Sequence, residues 1–172
     1  AETIFSHVRP KGTLRVDVHG TLARHFLLPT LPAFFATYPD IELHMSEGDR
    51  LVDLVREGVD CVLRVGELRD SEMTGRHLTT LEEVTLASPA YLRAHGVPTH
   101  PDELPRGHVM VGFQSSLRGR ILPLEFLIDG IPRNVVLPLH MAVNAAESYV
   151  SAARAGLGLI QIPRYHAQHD ID

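Results

Sequence analysis

The first third of the chain alternates short apolar strands with helical segments, and this order limits the folds open to it. Residues 14–18 and 41–45 alternate apolar and polar side chains, and residues 60–65 are mostly apolar, so all three predict strands. Between them, apolar residues recur at helical spacing over residues 27–38 and 51–55. A strand–helix–strand–helix–strand order predicts a parallel sheet joined by right-handed crossovers. The chain therefore begins as an α/β lobe.

Two prolines interrupt the first helical segment. Pro29 and Pro32 lack the backbone N–H that a helix interior requires, and proline is tolerated without cost only in the first helical turn. We therefore expect the regular helix to start near Leu28, or to be kinked there, and to end at Pro39.

The rest of the chain follows a different pattern. A helix is predicted from Ala145 to Ala155, with Asn144 as its cap and a break at Gly156-Leu157-Gly158. Strands are predicted at residues 76–81, 83–87, 109–113, 122–129, 133–139 and 159–162, with a hairpin around Gly130. The expected organisation is a linker remnant at 1–11, a first lobe at 12–86, a second lobe at 87–163 inserted in the first, and at 164–172 the start of a return segment to the first lobe.

The charge balance argues against nucleic-acid binding by this stretch of chain. It carries 16 Lys and Arg against 21 Asp and Glu, a net charge of −5, and no basic run is longer than two residues. A module that neutralises DNA phosphates presents a basic surface. We therefore expect this chain not to bind duplex DNA at physiological salt.

Cysteine usage and hydropathy favour a cytoplasmic location. Cys61 is the single cysteine, so no intrachain disulfide can form, and its neighbours Val62 and Leu63 predict a buried small hydrophobe. No apolar run approaches the roughly 18 residues of a membrane span. Residues 1–12 lack the apolar stretch of a signal peptide. We expect a cytoplasmic protein with no membrane partner.

Motifs for catalysis and metal binding are missing from the sequence. It contains no GxSxG, P-loop, CxxC or HExxH. Gly156 and Gly158 follow a helix instead of opening one, which is typical of a helix end and not of a dinucleotide loop. The eleven histidines are scattered, which favours surface residues over a metal site. We therefore expect no enzyme activity, no metal and no cofactor.

Polar residues follow all three predicted parallel strands. Open parallel sheets bind ligands outside the carboxyl ends of their strands, and the helix N-termini that follow two of these strands favour an anion. Thr21 and Ser46 offer hydroxyl groups there. The alternative is that Thr21, Ser46 and Asp49 are only helix caps. We expect the three loops to converge on one ligand cleft.

Five motifs in order resemble one protein family. They are GTLRVDV at 12–18, LPTLPAF with YPDIEL at 28–43, LVDLVREGVDCVLRVG at 51–66, ASPAYL at 87–92 and ARAGLGLIQIP at 153–163. Together they resemble the effector-binding domain of LysR-type regulators over roughly residues 12–165.

The resemblance implies a fold and a function. The fold is α/β, a two-lobed type 2 periplasmic-binding-protein-like fold that is truncated at the C-terminus. The function is that of a ligand-sensing domain in a bacterial transcriptional regulator, which binds a small-molecule effector between its lobes and controls DNA binding by a separate N-terminal helix-turn-helix domain. The alternatives are a free-standing solute-binding protein of the same fold and an enzyme on that fold.

Effector contacts are expected at element ends that face the cleft. The candidates are His19, Thr21, Ser46, Asp49, Gly66 and Glu67 in the first lobe and Ser88, Gln114 and Asn144 in the second. The helix N-termini favour a small organic anion. The acidic side chains of Asp49 and Glu67 favour a neutral or amine-bearing effector instead.

The resemblance also implies pairing of two copies as a homodimer or tetramer. A first-lobe helix around Phe34, Phe35 and Tyr38 would lie against the partner's second-lobe helix. The expected contacts on that second helix are Ala145, Ser151 and Ala152. An apolar surface wider than one sheet can cover supports this interface. The alternative is that these residues only fill the cores of their own lobes.

Overall fold

The computed structural model describes residues 9–48, 54–66, 74–115 and 119–171. The chain divides into two compact units. Unit 1 spans Ala1–Gly75 and unit 2 spans Arg76–Asp172. None of the helices in the described ranges is long and apolar enough to cross a membrane.

Unit 1 is built on a three-stranded parallel sheet. Its strands are β1 (Gly12–Val18), β2 (Ile41–Glu47) and β3 (Cys61–Leu63), and β1 lies between the other two. The helices are α1 (Gly20–Leu22) and α2 (Leu31–Thr37) between β1 and β2, and α3 (Leu54–Glu57) between β2 and β3. The alternation predicted from the sequence is confirmed, because both β1–β2 and β1–β3 pair in parallel.

The prolines shape the connection from β1 to β2 as expected. Residues Ala23–Leu27 form a π-helix and Leu28–Thr30 a 3-10 helix, and regular α-helix starts only at Leu31. Pro29 and Pro32 cannot donate to carbonyls one turn earlier, so the hydrogen-bond spacing changes around them. The predicted kink near Leu28 is confirmed.

The described residues of unit 2 form six strands and three helices. The strands are β4 (Glu83–Leu86), β5 (Met110–Phe113), β6 (Leu124–Ile128), β7 (Ile131–Val135), β8 (Leu139–Val143) and β9 (Ile160–Pro163). The helices are α4 (Pro89–His95), α5 (Ala146–Arg154) and α6 (Gln168–Ile171), with 3-10 turns at Pro101–Glu103 and Arg164–His166. Strands β6 and β7 form the hairpin predicted around Gly130.

Strand pairing in unit 2 depends on β5 and β9. β5 pairs in parallel with β8, and a bridge from Met110 to Leu159 places the start of β9 on the other side of β5. β9 then pairs antiparallel with β4. The Gln161 side chain joins the hairpin to β9, because it accepts from Glu125 N (2.6 Å) and donates to Glu125 O (2.8 Å) and Thr85 Oγ1 (3.0 Å).

Some local expectations differ from the structure. Residues 76–81 form no strand. Strand β4, assigned from the sequence to a first lobe ending at residue 86, lies in unit 2 because it pairs with β9. The predicted strand 133–139 is divided between β7 and β8. Pro138 lies in that gap and cannot donate to a ladder.

The two units differ in the number of hydrophobic side chains that are buried among their described residues. In the described part of unit 1, the buried hydrophobic residues are Val18, Leu22 and Ala23. Unit 2 has two buried clusters, one around α5 and β9 and one around Tyr91 and Met110. The expectation of a buried Cys61 is wrong, since it begins the edge strand β3 and is exposed.

Candidate functional site

The carboxyl ends of the three parallel strands of unit 1 form one edge. Backbone hydrogen bonds hold the residues after the strands together there: His19 N donates to Leu63 O at 3.3 Å, and Gly48 N donates to Val18 O at 3.1 Å. The side chains that follow β1, β2 and β3 therefore start from neighbouring positions. We call this the carboxyl edge of unit 1.

A buried acid, Asp17, lies at the centre of the carboxyl edge. It is only 7% exposed, and it is paired in register with Ser46 of β2 and Val62 of β3. Ser46 Oγ lies 2.5 Å from Asp17 Oδ2. The Arg64 guanidinium forms an ion pair with Asp17 Oδ1 and donates to Leu63 O at 3.0 Å. One carboxylate thus connects side chains from all three strands.

His19 and Thr21 form a second contact at the same edge. The imidazole Nδ1 of His19 lies 2.8 Å from Thr21 Oγ1. Thr21 is buried, whereas His19 is half-buried. The N-cap of α1 is His19, so Thr21 is not the cap of that helix. The Thr21 hydroxyl instead fixes the orientation of the His19 ring.

An exposed ion pair flanks these residues. Arg24 Nη1 lies 3.1 Å from Glu47 Oε2. The two side chains meet over Gly20, where a Cβ atom would lie 2.3 Å from Glu47 Oε2. Any side chain at position 20 would therefore displace the Glu47 carboxylate and break its contact with Arg24.

A groove extends from the carboxyl edge within unit 1. Its volume is about 690 Å³, and Asp17, Ser46 and Glu47 line it together with Arg15 and Glu57. Cavities of about 300–1,000 Å³ are the usual size for small-molecule sites. Its charged lining is thus three carboxylates against one guanidinium.

Three further first-lobe candidates have different outcomes. Gly66 is exposed and has a φ of 120°, a conformation that favours glycine. Asp49 and Glu67 lie outside the described residues.

The second-lobe candidates fall at two different ends of unit 2. Gln114 and Asn144 directly follow the parallel strands β5 and β8, and Gln114 N donates to Val143 O at 2.7 Å, so these two exposed residues are neighbours. Ser88 follows β4, which runs antiparallel to β9, so it lies at the opposite edge. There its Oγ caps α4 by accepting from Tyr91 N at 3.2 Å.

The expectation that Asn144 caps the long helix is wrong. The N-cap of α5 is Ala145, which has no side-chain cap hydrogen bond. Asn144 lies one residue earlier and is exposed. Its amide is placed at the carboxyl end of β8, beside Gln114, and not at the helix end.

The residues expected at a dimer interface divide between surface and core. Phe35 and Tyr38 are each 37% exposed, and both contact the ring of the half-buried Phe34, with centroids 5.5 and 5.1 Å away. In unit 2, Ala145 and Ser151 are exposed. Ala152, in contrast, is 6% exposed and packs in the core cluster of unit 2.

Sequence reasoning missed Asp17 and Arg64. Asp17 occupies a polar position of the alternating stretch 14–18, so the local pattern does not distinguish it from an exposed residue. Arg64 interrupts the mostly apolar run 60–65, and that break is the signal that could have identified it. Among the described residues, no group of three or more His, Cys, Asp or Glu side chains could hold a metal ion.

A separate acidic contact in unit 2 gives a pH-dependent prediction. Burial, and then the nearby Glu125 carboxylate, raise the pKa of Glu83 above its ordinary value. The ionised carboxylate therefore destabilises the fold at pH values above its folded pKa, and this penalty disappears as the pH falls through that pKa. We expect Glu83→Gln to raise the melting temperature near neutral pH and to change it little in acid.

Circular dichroism melts at the two pH values measure the effect. The matched control is Glu82→Gln, which makes the same change one position earlier in the chain. An equal gain from Glu83→Gln at both pH values would contradict the assignment to a raised pKa.

Comparison with known proteins gives a consistent result. A family model described as the LysR substrate binding domain matches residues 7–172. The uncharacterized HTH-type transcriptional regulator YhjC of Escherichia coli K12 is 40% identical over 157 residues, which are 89% of this chain and 51% of YhjC. CrgA of Neisseria meningitidis serogroup C, an HTH-type transcriptional regulator, is 31% identical over 170 residues, 99% of this chain and 56% of CrgA. The chain thus spans about half the length of these relatives.

Solved structures share the fold. The regulatory domain of CrgA superimposes with a TM-score of 0.77 at 31% identity and covers 94% of this chain and 78% of that chain. The full-length structure of AphB, a virulence activator of Vibrio cholerae, gives a TM-score of 0.71 at 27% identity over 92% of this chain and 53% of AphB.

Proposed function

This chain belongs to the LysR substrate-binding domain family, and we propose that it senses a small-molecule effector at the carboxyl edge of unit 1. The resemblance found in the sequence is confirmed, as is the α/β periplasmic-binding-protein-like fold of LysR regulatory domains. Its relatives are HTH-type transcriptional regulators, not enzymes. They give no support to the alternative of a free-standing solute-binding protein.

The observation that carries the proposal is the Asp17 centre. This buried carboxylate, which is bound to Ser46 of β2 and to Arg64 directly after β3, holds Ser46 in a groove of ligand size. Such preorganised polar groups at strand ends are typical of ligand sites in parallel sheets. We propose Ser46 as an effector contact within the groove, His19 and Gly66 as contacts at the carboxyl edge beside its lining, and Thr21 as the residue that orients His19.

The other predicted effector contacts remain proposals, and the structure supports some of them more than others. Gln114 and Asn144 are neighbours at one edge of unit 2, which suits a shared ligand contact. Ser88 is engaged as a helix cap at the other edge, which argues against it. Asp49 and Glu67 remain proposals from the sequence alone.

Thermal-shift screening tests the effector site. The panel consists of small carboxylates, amines, amino acids and sugars. A ligand at 100 times its Kd stabilises the native state by about 2.7 kcal/mol, which is an increase of about 5–10 °C for a chain of this size. We expect His19→Phe and Thr21→Val each to weaken the ligand found by about tenfold, the size of one hydrogen bond to a charged group.

The matched control for these variants is Thr79→Ala, which changes an exposed hydroxyl residue of unit 2 outside both the effector site and the proposed dimer interface. It should retain the full thermal shift. If Thr21→Val and His19→Phe also retain the full affinity, the effector does not bind at the carboxyl edge of unit 1.

DNA binding belongs to the whole protein. The net charge of −5 makes this chain a poor partner for a polyanion. We propose that a helix-turn-helix domain elsewhere in the cytoplasmic full-length protein binds the operator, as the descriptions of the relatives suggest. Effector binding in this chain would then control that domain.

We also propose that two copies of the chain pair through α2. Four large hydrophobic side chains of unit 1 lie exposed before, in and directly after this helix: Phe26, Leu28, Phe35 and Tyr38. Exposed apolar patches of this kind commonly mark interfaces. The exposed Ala145 and Ser151 on the second helix fit the same proposal, whereas the core position of Ala152 does not.

Light scattering at micromolar concentration tests the pairing. We expect the unmodified chain to be a dimer and Phe35→Glu to be a folded monomer, because a charge in an apolar interface loses its hydration. Val97→Glu is the matched control, since Val97 is an exposed hydrophobic residue in unit 2 outside the proposed interface. A dimer that survives Phe35→Glu, or a monomeric unmodified chain, would overturn the proposal.

A further inference from the structure

The hydrogen-bond direction at Ser46 determines what the carboxyl edge can recognise. Asp17 forms an ion pair with Arg64, which requires an ionised carboxylate. An ionised carboxylate has no proton and can only accept hydrogen bonds. In the 2.5 Å contact between Ser46 Oγ and Asp17 Oδ2, the serine hydroxyl must therefore be the donor. Its single proton is directed into the protein.

The consequence is that Ser46 offers a ligand lone pairs and no proton. A serine oxygen has two acceptor sites and one donor. Ser46 is exposed and lines the groove, so its acceptor sites are accessible. A carboxylate placed against Ser46 would meet another acceptor, whereas an ammonium or hydroxyl group would find a partner.

The charged lining of the groove does not set this preference by itself. Two of its three carboxylates, Asp17 and Glu47, form ion pairs with Arg64 and Arg24, and the Arg15 guanidinium also lines the groove. The preference for a donor therefore comes from the direction of the Ser46 hydrogen bond, and an ammonium group, which has three donors and no acceptor, matches it best.

We infer that Asp17 is a positioning residue that makes the effector site selective for a hydrogen-bond donor, best an ammonium group, at Ser46. The inference rests on the proposed function, since it assigns the polarity of the same site. It replaces the expectation of an anionic effector at this edge. Asp17 acts through Ser46, whose hydroxyl proton it accepts.

The test compares two probes that share a three-carbon frame and differ in charge: 1-amino-2-propanol and lactate. Apparent affinities come from thermal-shift titrations at equal concentration and ionic strength. For the unmodified chain we expect the amine to bind about tenfold more tightly than lactate, as one hydrogen bond to a charged group would give. We expect Ser46→Ala to lose this preference.

The decisive variant is Asp17→Asn. An asparagine amide can donate to Ser46 Oγ, so the hydroxyl proton becomes available to a ligand. We expect the preference to shift towards lactate. Since Asp17→Asn also removes an ion pair, circular dichroism checks its fold. If it does not fold, Ser46→Ala carries the test, because Ser46 is exposed at a strand end.

Each outcome has a definite meaning. Equal binding of both probes that is lost in Ser46→Ala keeps the effector site but overturns its donor selectivity. Tighter binding of lactate by the unmodified chain, or an unchanged preference in a folded Asp17→Asn, also overturns the inference. No response to either probe overturns it as well, whereas only a failed metabolite screen counts against the proposed function. Thr79→Ala should behave as the unmodified chain.

Discussion

Replacing Arg64 by methionine is expected to lower the free energy of unfolding by about 3 kcal/mol. The methionine side chain fills much of the same space but leaves the buried Asp17 carboxylate without its ion-pair partner. Removing one member of a buried pair is costly because the remaining charge stays desolvated. The Asp17 side chain is 10% exposed and that of Arg64 is 24% exposed, so solvent screens this pair only weakly. Urea unfolding followed by circular dichroism measures the change.

The matched control is Arg24→Met. Arg24 and Glu47 form an ion pair at the same edge, but their side chains are 48% and 43% exposed. Exposed pairs contribute at most about 1 kcal/mol, so this variant should unfold close to the unmodified chain. Equal losses for Arg24→Met and Arg64→Met would show that burial of Asp17 does not matter.

A double variant tests whether the stability lost in Arg64→Met comes from the unpaired charge of Asp17. Asp17→Leu combined with Arg64→Met removes both charges and should recover most of the stability lost in Arg64→Met alone. A double variant as unstable as the single one would mean that Arg64 stabilises the fold through other contacts.

Gly158→Ala is expected to destabilise unit 2 by about 2–5 kcal/mol, since two costs add. Gly158 has a φ of 147°, which side chains rarely adopt. A Cβ atom there would also lie 2.9 Å from Val109 O and 3.0 Å from the Met110 carbonyl carbon. These are backbone atoms, so they cannot move aside as a side chain would. The loss is read from urea unfolding.

Gly156→Ala is the matched control, because it shares the positive φ but lacks the contact with backbone atoms. Gly156 also has a positive φ, 79°, but a Cβ atom there would meet only Ser88 Oγ at an ordinary 3.4 Å. The conformational cost alone is about 1–2 kcal/mol. If both alanine variants lost the same stability, the close approach of Gly158 to β5 would carry no cost.

Gly156 and Gly158 thus have different structural roles, although they belong to the same short motif in the sequence. Gly156 ends α5, where its N–H donates to Ala153 O at 2.9 Å, as the interpretation of Gly156-Leu157-Gly158 as a helix end predicted. Gly158 allows the chain to run against β5, where Leu159 N donates to Val109 O at 3.0 Å. The second role depends on a strand about fifty residues earlier in the chain, which the local pattern does not contain.

Most local elements and the family could be predicted from the amino-acid sequence alone. Apolar periodicity reports which face of a segment is covered, so the alternating strands and helices of unit 1 and the hairpin around Gly130 were predictable. The prolines predicted the kink because they remove backbone donors wherever they lie. Five motifs in one order identified the family, since their joint occurrence is far more specific than any one of them.

Contacts between residues distant in the chain became visible only in the folded units. The antiparallel pairing of β4 with β9 placed Ser88 away from Gln114 and Asn144. The register of β1 with β2 and β3 brought Ser46 and Arg64 to the Asp17 carboxylate. Pairing and register follow from packing of the whole unit, because a strand's own pattern fixes its faces but not its neighbour. The sequence therefore predicted polar candidates such as Ser46 at the strand ends, whereas the buried partners Asp17 and Arg64 became visible only in the structure.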